Sequence, residues 1–141
     1  MMEKDTGKLL KELGRCENFK SFYEENEGAL IRENLAKLLE ELFEKKGLKK
    51  SRVVRESELS EVYAYQIFSG LRIPERKKLL SLAVAMGLEF EELQGLLRCA
   101  GYPPLYVKRP FDCIFLYGLM KKMSILEINE LLYQYGQETL K

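Results

Sequence analysis

Apolar residues recur at intervals of three and four along almost the whole chain, and this spacing is the period of an α-helix. The segment 28–46 shows it most clearly, because its apolar residues lie on one stripe. That segment ends in Lys45 and Lys46 before Gly47, as is typical of a helix C-terminus. No segment alternates apolar and polar residues as a half-buried strand would. The sequence therefore predicts an all-α protein.

Glycines, prolines and N-cap residues delimit the other predicted helices. Two of the four prolines, Pro103 and Pro104, lie in the segment 101–110 and predict an irregular connection there, because a residue before proline disfavours the helical region. Ser124 and Glu127 fit a capping box at the start of the last helix. The predicted helical ranges are 8–24 (one or two short helices), 28–46, 50–56, 60–69, 75–86, 89–100, 111–122 and 124–135.

Composition limits the chemistry that we expect. The chain has no His, and its three cysteines, Cys16, Cys99 and Cys113, show no paired spacing, which argues against a structural metal or a disulfide framework. It also lacks a glycine-rich phosphate loop and a run of roughly 20 apolar residues that could span a membrane. We therefore expect a cytoplasmic, non-enzymatic protein without a cofactor, a metal or a membrane partner.

One run of residues carries a family resemblance. Residues 48–88 resemble the helix-turn-helix core of the Cro and lambda-repressor family, also called the XRE family. The pattern is spread over many positions, and its bearers are Val54, Leu59, Ser60, Ile67, Gly70, Leu79, Ala83, Met86, Gly87 and Leu88. The longer run through YAYQIFSG, AGYPPLY and EINELLY is similar to bacterial XRE-like regulators with a helical C-terminal extension.

The resemblance implies a lambda-repressor-like helix-turn-helix bundle with N-terminal helices and a C-terminal helical hairpin. Residues 1–27 would be an N-terminal helical extension, 28–100 the repressor-like domain, and 101–141 the hairpin. The hairpin carries more apolar residues than two helices can bury alone. It is therefore expected to pack on the core or to form a homodimer.

The resemblance also implies a function, namely a sequence-specific regulator of transcription that binds double-stranded DNA. Residues 60–69 would be the recognition helix in the major groove. The base contacts would then be Glu61, Val62, Tyr65 and Gln66. The backbone contacts would be Lys50, Ser69, Arg72, Lys77 and Lys78. Although the net charge is only +1, the stretch from Lys45 to Lys78 holds ten Lys or Arg and four Glu.

Three features depart from a typical DNA reader and favour an alternative. Acidic residues crowd the reading edge, and no Lys or Arg occurs between Glu56 and Ser69. Glu58 stands where the family usually has glycine, and a left-handed backbone costs a non-glycine residue about 1 kcal/mol. Tyr63 and Tyr65 are bulky, and aromatic side chains often anchor protein interfaces. The alternative is a helix-turn-helix repurposed as a protein–protein interaction module.

Other aromatic and sulfur-bearing side chains are expected to be structural. Tyr63 and Phe68 fall at helical spacing and are predicted to pack against neighbouring helices. Cys99 and Cys113 lie in apolar stretches and are predicted to be buried.

Overall fold

The computed structural model describes residues 6–26 and 31–141, and every regular element in these ranges is an α-helix. This confirms the all-α prediction for the described part of the chain. The helix predicted from residue 28 is described from Ile31 onward, since 27–30 lie outside the described residues. The helices are α1 (Thr6–Arg15), α2 (Phe19–Asn26), α3 (Ile31–Lys46), α4 (Lys50–Ser57), α5 (Glu61–Phe68), α6 (Arg76–Met86), α7 (Phe90–Cys99), α8 (Pro110–Met120) and α9 (Ile125–Gln134).

Serine hydroxyls cap α5 and α9 at their N-termini. The hydroxyl of Ser60 accepts a hydrogen bond of 3.2 Å from the backbone N–H of Tyr63, so Ser60 is the N-cap of α5. At α9, Ser124 Oγ accepts from the Glu127 N–H at 3.2 Å, and the Glu127 carboxylate accepts from the Ser124 N–H at 3.0 Å. The capping box predicted at Ser124 and Glu127 is therefore confirmed.

Helices α3 to α9 share one hydrophobic core among the described residues. The hairpin of α8 and α9 contributes Phe115, Ile128 and Leu132 to it, each fully buried. Burial of each such side chain favours folding by roughly 1.5–3 kcal/mol. The hairpin thus packs on the same core as α3 to α7, whereas α1 and α2 contribute no side chain to this core.

The two helices of the hairpin approach each other closely at a glycine. A Cβ atom built on Gly118 would lie 2.5 Å from Cγ1 of Ile128. Only a residue without a side chain allows α8 and α9 to pack at this distance. Gly118 therefore sets the spacing within the hairpin.

Polar side chains order the proline-rich connection between α7 and α8. Gln94 accepts from the Leu105 N–H at 2.8 Å and donates to the Leu105 carbonyl at 3.2 Å. The buried carboxylate of Asp112 accepts from the Tyr106 N–H at 2.9 Å and from Arg76 at 3.5 Å. These bonds satisfy backbone groups that an irregular segment cannot pair with itself.

The cysteine prediction is wrong for one of the two residues. Cys113 is exposed and Cys99 is half-buried. Helix α8 is apolar around most of its circumference, so its sequence did not show which side faces the core. Separately, no helix in the described ranges is long and apolar enough to cross a bilayer.

Candidate functional site

Helices α4 and α5 are joined by residues 58–60, and Glu58 turns the chain. Its backbone is left-handed with φ of 61°, a conformation that costs a residue with a side chain about 1 kcal/mol. The buried hydroxyl of Ser57 donates to the Val54 carbonyl at 2.7 Å and accepts from the Leu59 N–H at 3.2 Å. The connection is thus held by its own side chains, and α5 leaves α4 in a defined direction.

Helix α5 has one buried and one outward face. Ala64, Ile67 and Phe68 are buried in the core. Glu61 and Val62 point outward, and Val62 is 69% exposed. Because one face is anchored, the outward side chains are presented by a rigid element.

Tyr65 is positioned by a row of aromatic rings. Its ring meets Phe68 edge-on at 5.6 Å between centroids, and Phe68 meets Phe43 in the same way at 5.1 Å. Lys50 continues this row, since its ammonium lies 5.7 Å from the Phe43 ring and pairs with Glu40 at 2.9 Å. Tyr65 nevertheless stays 39% exposed, and its hydroxyl forms no hydrogen bond with a described residue. The predictions that Phe68 is buried and that Tyr63 packs on the core are confirmed.

One side of the outward face ends in Arg72. Its Nε donates to Oε1 of Gln66 at 3.0 Å, and its guanidinium lies 5.4 Å from the ring centroid of Tyr63. Ser69 is on the same turn and donates from its hydroxyl to the Gln66 carbonyl at 3.2 Å. Arg72 is exposed, so one edge of α5 carries a positioned cation.

The opposite side of the outward face borders a groove that contains Arg55. This groove has a volume of about 370 Å³ and is lined by both α4 and α5, with Glu58, Glu61 and Tyr65 on its walls. Arg55 is exposed and makes no ion pair with any described residue. The sequence analysis did not single out Arg55, because its place beside α5 depends on how α4 packs against α5.

Two predicted backbone contacts lie in other surroundings. Lys77 pairs with Glu138 at 2.6 Å and sits 5.8 Å from the Phe111 ring, so it joins α6 to α8 and the C-terminal segment. Lys78 lines a separate cavity with Asn129 and Leu140. Of the predicted residues, the structure brings together Glu61, Val62, Tyr65, Gln66, Ser69 and Arg72 on or beside α5.

The arrangement is suited to recognition. It combines an acceptor (Glu61), an apolar group (Val62), an aromatic hydroxyl (Tyr65) and guanidinium groups on both flanks of one anchored helix. The described residues hold no cluster of three or more side chains able to bind a metal. Comparisons of the chain with protein-family models, with curated proteins and with solved structures found no match.

Proposed function

We propose that the chain is a sequence-specific regulator of transcription that binds double-stranded DNA through a lambda-repressor-like helix-turn-helix formed by α4 and α5. The observation that carries the proposal is the pair of arginines on either side of the outward face of α5. Arg55 lines the same groove as Glu61 and Tyr65. Arg72 is hydrogen-bonded to Gln66 on the other side of the helix. A helix in the major groove has a phosphate backbone on each side, so cations on both flanks match its surroundings.

Each outward side chain of α5 suits a base edge. Val62 fits the methyl group of thymine, and Glu61 can accept from N4 of cytosine. The Tyr65 hydroxyl can bond a base or a phosphate. Gln66 uses its oxygen for Arg72, so its NH₂ group remains as the donor to N7 of adenine.

We propose a ranking of the phosphate contacts from the ion pairs that each side chain already makes. Arg72 and Ser69 stand beside α5, and Arg55 joins them. Lys50 must break its ion pair with Glu40 before it can contact a phosphate, so its net contribution to DNA affinity is smaller. Lys77 must likewise leave Glu138.

The test is selection from random-sequence duplex DNA across a salt series. We expect a recovered motif and an affinity that falls steeply with salt. Arg55→Gln and Arg72→Gln should each lower the salt slope by about one and weaken binding by about tenfold or more. Lys108→Gln is the matched control, because Lys108 is exposed in the α7–α8 connection and should change neither value.

A second set of variants tests base recognition. Val62→Ala removes two methyl groups from a side chain that is 69% exposed, so the fold should be unchanged. We expect relaxed preference at one base pair, worth about 1–3 kcal/mol. Absence of DNA retention even at low salt would overturn the proposal.

The second candidate function is a protein–protein interaction module. It is favoured by Glu58 and Glu61, which line the groove with Tyr65 and repel phosphate. Binding of a protein through this face should depend weakly on salt. Tyr65→Ala should then weaken binding more than Lys50→Glu does, whereas the DNA function predicts the reverse order.

We also propose that a second copy binds the outer face of the hairpin. Tyr117 and Met120 on α8 and Leu126 and Tyr133 on α9 are each at least 50% exposed. The ammonium of Lys121 lies 5.8 Å from the Tyr117 ring, and Glu130 follows Leu126 by four positions in α9. We infer from these opposite charges that α8 of one copy packs against α9 of the other. Such a homodimer predicts near-palindromic sites with half-sites about one helical turn apart. Light scattering that shows only monomer at micromolar concentration, with and without DNA, would contradict it.

A further inference from the structure

A cavity of about 190 Å³ lies where the α4–α5 connection meets α6, α9 and the C-terminal segment. Its walls include the buried polar side chains of Ser57, Ser81 and Asn129. Lys78, Lys141 and the exposed Glu58 also line it, and they carry two positive charges and one negative charge. Buried polar groups around a void of this size mark a place that a polar occupant can fill.

Asn129 supplies a hydrogen-bond donor to the cavity. Its side chain is 9% exposed, and its Oδ1 accepts from the Leu140 N–H at 2.8 Å. Its Nδ2 makes no hydrogen bond to any described residue. Among the described residues, each side-chain nitrogen or oxygen that is fully buried does have a hydrogen-bond partner. Nδ2 is therefore open to solvent, and the cavity is the space that Asn129 lines.

Lys78 supplies a cation to the cavity. It is half-buried and forms no ion pair with the described residues. Its two neighbours on α6 differ from it, since Arg76 pairs with Asp112 and Lys77 with Glu138. A partly desolvated ammonium is stabilised by an anionic group.

Two other polar groups of the cavity accept rather than donate. Ser81 Oγ gives its proton to the Lys77 carbonyl at 3.2 Å, so its lone pairs are left for a donor. The Glu58 carboxylate is acceptor-only when ionised. The cavity thus offers three donor groups for an anion, on Lys78, Asn129 and Lys141, and two acceptor groups for a cation, on Ser81 and Glu58.

The volume limits the size of the occupant. At ~30 Å³ for each liquid water, the cavity holds about six waters or an organic molecule of about six to nine non-hydrogen atoms. Ile125 and Leu140 provide an apolar wall for a short side chain. These properties match a small amino acid.

We propose that this cavity binds a small α-amino acid, with its carboxylate at Lys78 and Asn129 and its ammonium at Ser81 and Glu58. Ser57 and Glu58 belong to the connection that orients α5 against α4. An occupant therefore bridges that connection to α6 and α9 and reduces its motion. Any effect on DNA rests on the proposed function, whereas binding itself does not.

The test uses purified full-length chain and a panel of single amino acids from glycine to leucine. Matched carboxylic acids without the α-ammonium group form the second panel. At a hundredfold excess over Kd, a binding amino acid should raise Tm by about 5–10 °C. Backbone amide NMR should show the largest shifts in residues 57–59, 78–81 and 125–129.

Lys78→Met and a control variant distinguish loss of the binding site from loss of the fold. Lys78→Met removes the ammonium and keeps an unbranched side chain that is one atom shorter. We expect at least a tenfold loss of affinity and amide NMR spectra that show an unchanged fold. Lys108→Met, in the exposed α7–α8 connection, should bind as the parent does.

Three outcomes would overturn the proposal. The first is that no amino acid at millimolar concentration changes either the Tm or the NMR spectrum. The second is that the NMR shifts are confined to residues outside the cavity. The third is equal affinity for the carboxylic acids that lack the ammonium group. Loss of DNA binding with intact amino-acid binding would reject the proposed function and leave this site standing.

Discussion

Nε of Arg72 donates a hydrogen bond of 3.0 Å to Oε1 of Gln66, which joins a predicted phosphate contact to a predicted base contact. The guanidinium also stacks on Tyr63, so its position is set before any DNA arrives. Its remaining N–H groups and the amide NH₂ of Gln66 stay free to donate. The two residues should therefore act as one unit.

The first prediction concerns this pair. Arg72→Ala and Gln66→Ala should each weaken DNA binding, but the double variant should lose less than the sum. The coupling energy should be about 0.5–3 kcal/mol, because each single change also frees the other side chain. Arg72→Ala combined with Val62→Ala is the control, and it should be additive to within about 0.5 kcal/mol. If the effects of the single changes add up in both double variants, the hydrogen bond between Arg72 and Gln66 does not contribute to DNA binding.

The second prediction concerns the backbone at Glu58. Its φ of 61° is strained for a residue with a side chain. Glu58→Gly should raise the free energy of unfolding by about 1 kcal/mol, whereas Glu58→Ala should give no such gain. Chemical denaturation of both variants measures the difference at one position. A Glu58→Gly protein no more stable than Glu58→Ala would mean that the left-handed backbone at this position costs a residue with a side chain nothing measurable.

The third prediction compares two helical glycines. Gly118→Ala places a methyl group against Ile128 and should destabilise the fold by about 1–3 kcal/mol. Gly95→Ala in α7 meets only the end of Arg98 at 4.0 Å, so it should stabilise the fold by roughly 0.5–1 kcal/mol. Thermal unfolding should give Tm shifts of opposite sign. Equal shifts would show that α8 and α9 can move apart at no cost.

The fourth prediction concerns pH. Burial raises the pKa of Glu92, but hydrogen bonds from the Glu89 N–H, Lys46 and Lys45 more than offset this and hold the pKa below its ordinary value. A carboxyl with a lowered pKa stabilises the folded state above its ordinary pKa, and that contribution is lost as pH falls through the folded-state value.

The variant Glu92→Gln measures the contribution of the Glu92 carboxylate to stability. At pH 7 it should lower the free energy of unfolding by about 1 kcal/mol, a modest value because solvent screens the two lysines. The difference from the parent should shrink steadily as the pH is lowered from 5 to 3. A difference that stays constant over this range would contradict the role of the carboxylate charge.

Local signals accounted for the helices. The structure confirms the predicted start of a helix at Ser60 and the capping box of Ser124 and Glu127, since each depends on residues within four positions in the chain. The outward orientation of Glu61, Val62 and Tyr65 likewise agrees with the helical period.

Long-range contacts could not be found in the same way. The pairing of Lys77 with Glu138 joins residues 61 positions apart, and nothing in the local pattern marks it. Cys113 was misjudged because α8 is apolar on nearly every side. Arg55 was overlooked because only the packing of α4 against α5 shows which of its neighbours it faces.

The sequence by itself determined the helical class, the caps and the amphipathic faces, because these follow from interactions within one or two helical turns. Only the tertiary structure decided which cations remain free beside α5, that the hairpin shares the core of α3 to α7, and that a polar cavity lies behind the α4–α5 connection. The physical reason is that charge pairing, cavity shape and the choice of buried face depend on side chains from several distant elements meeting in space.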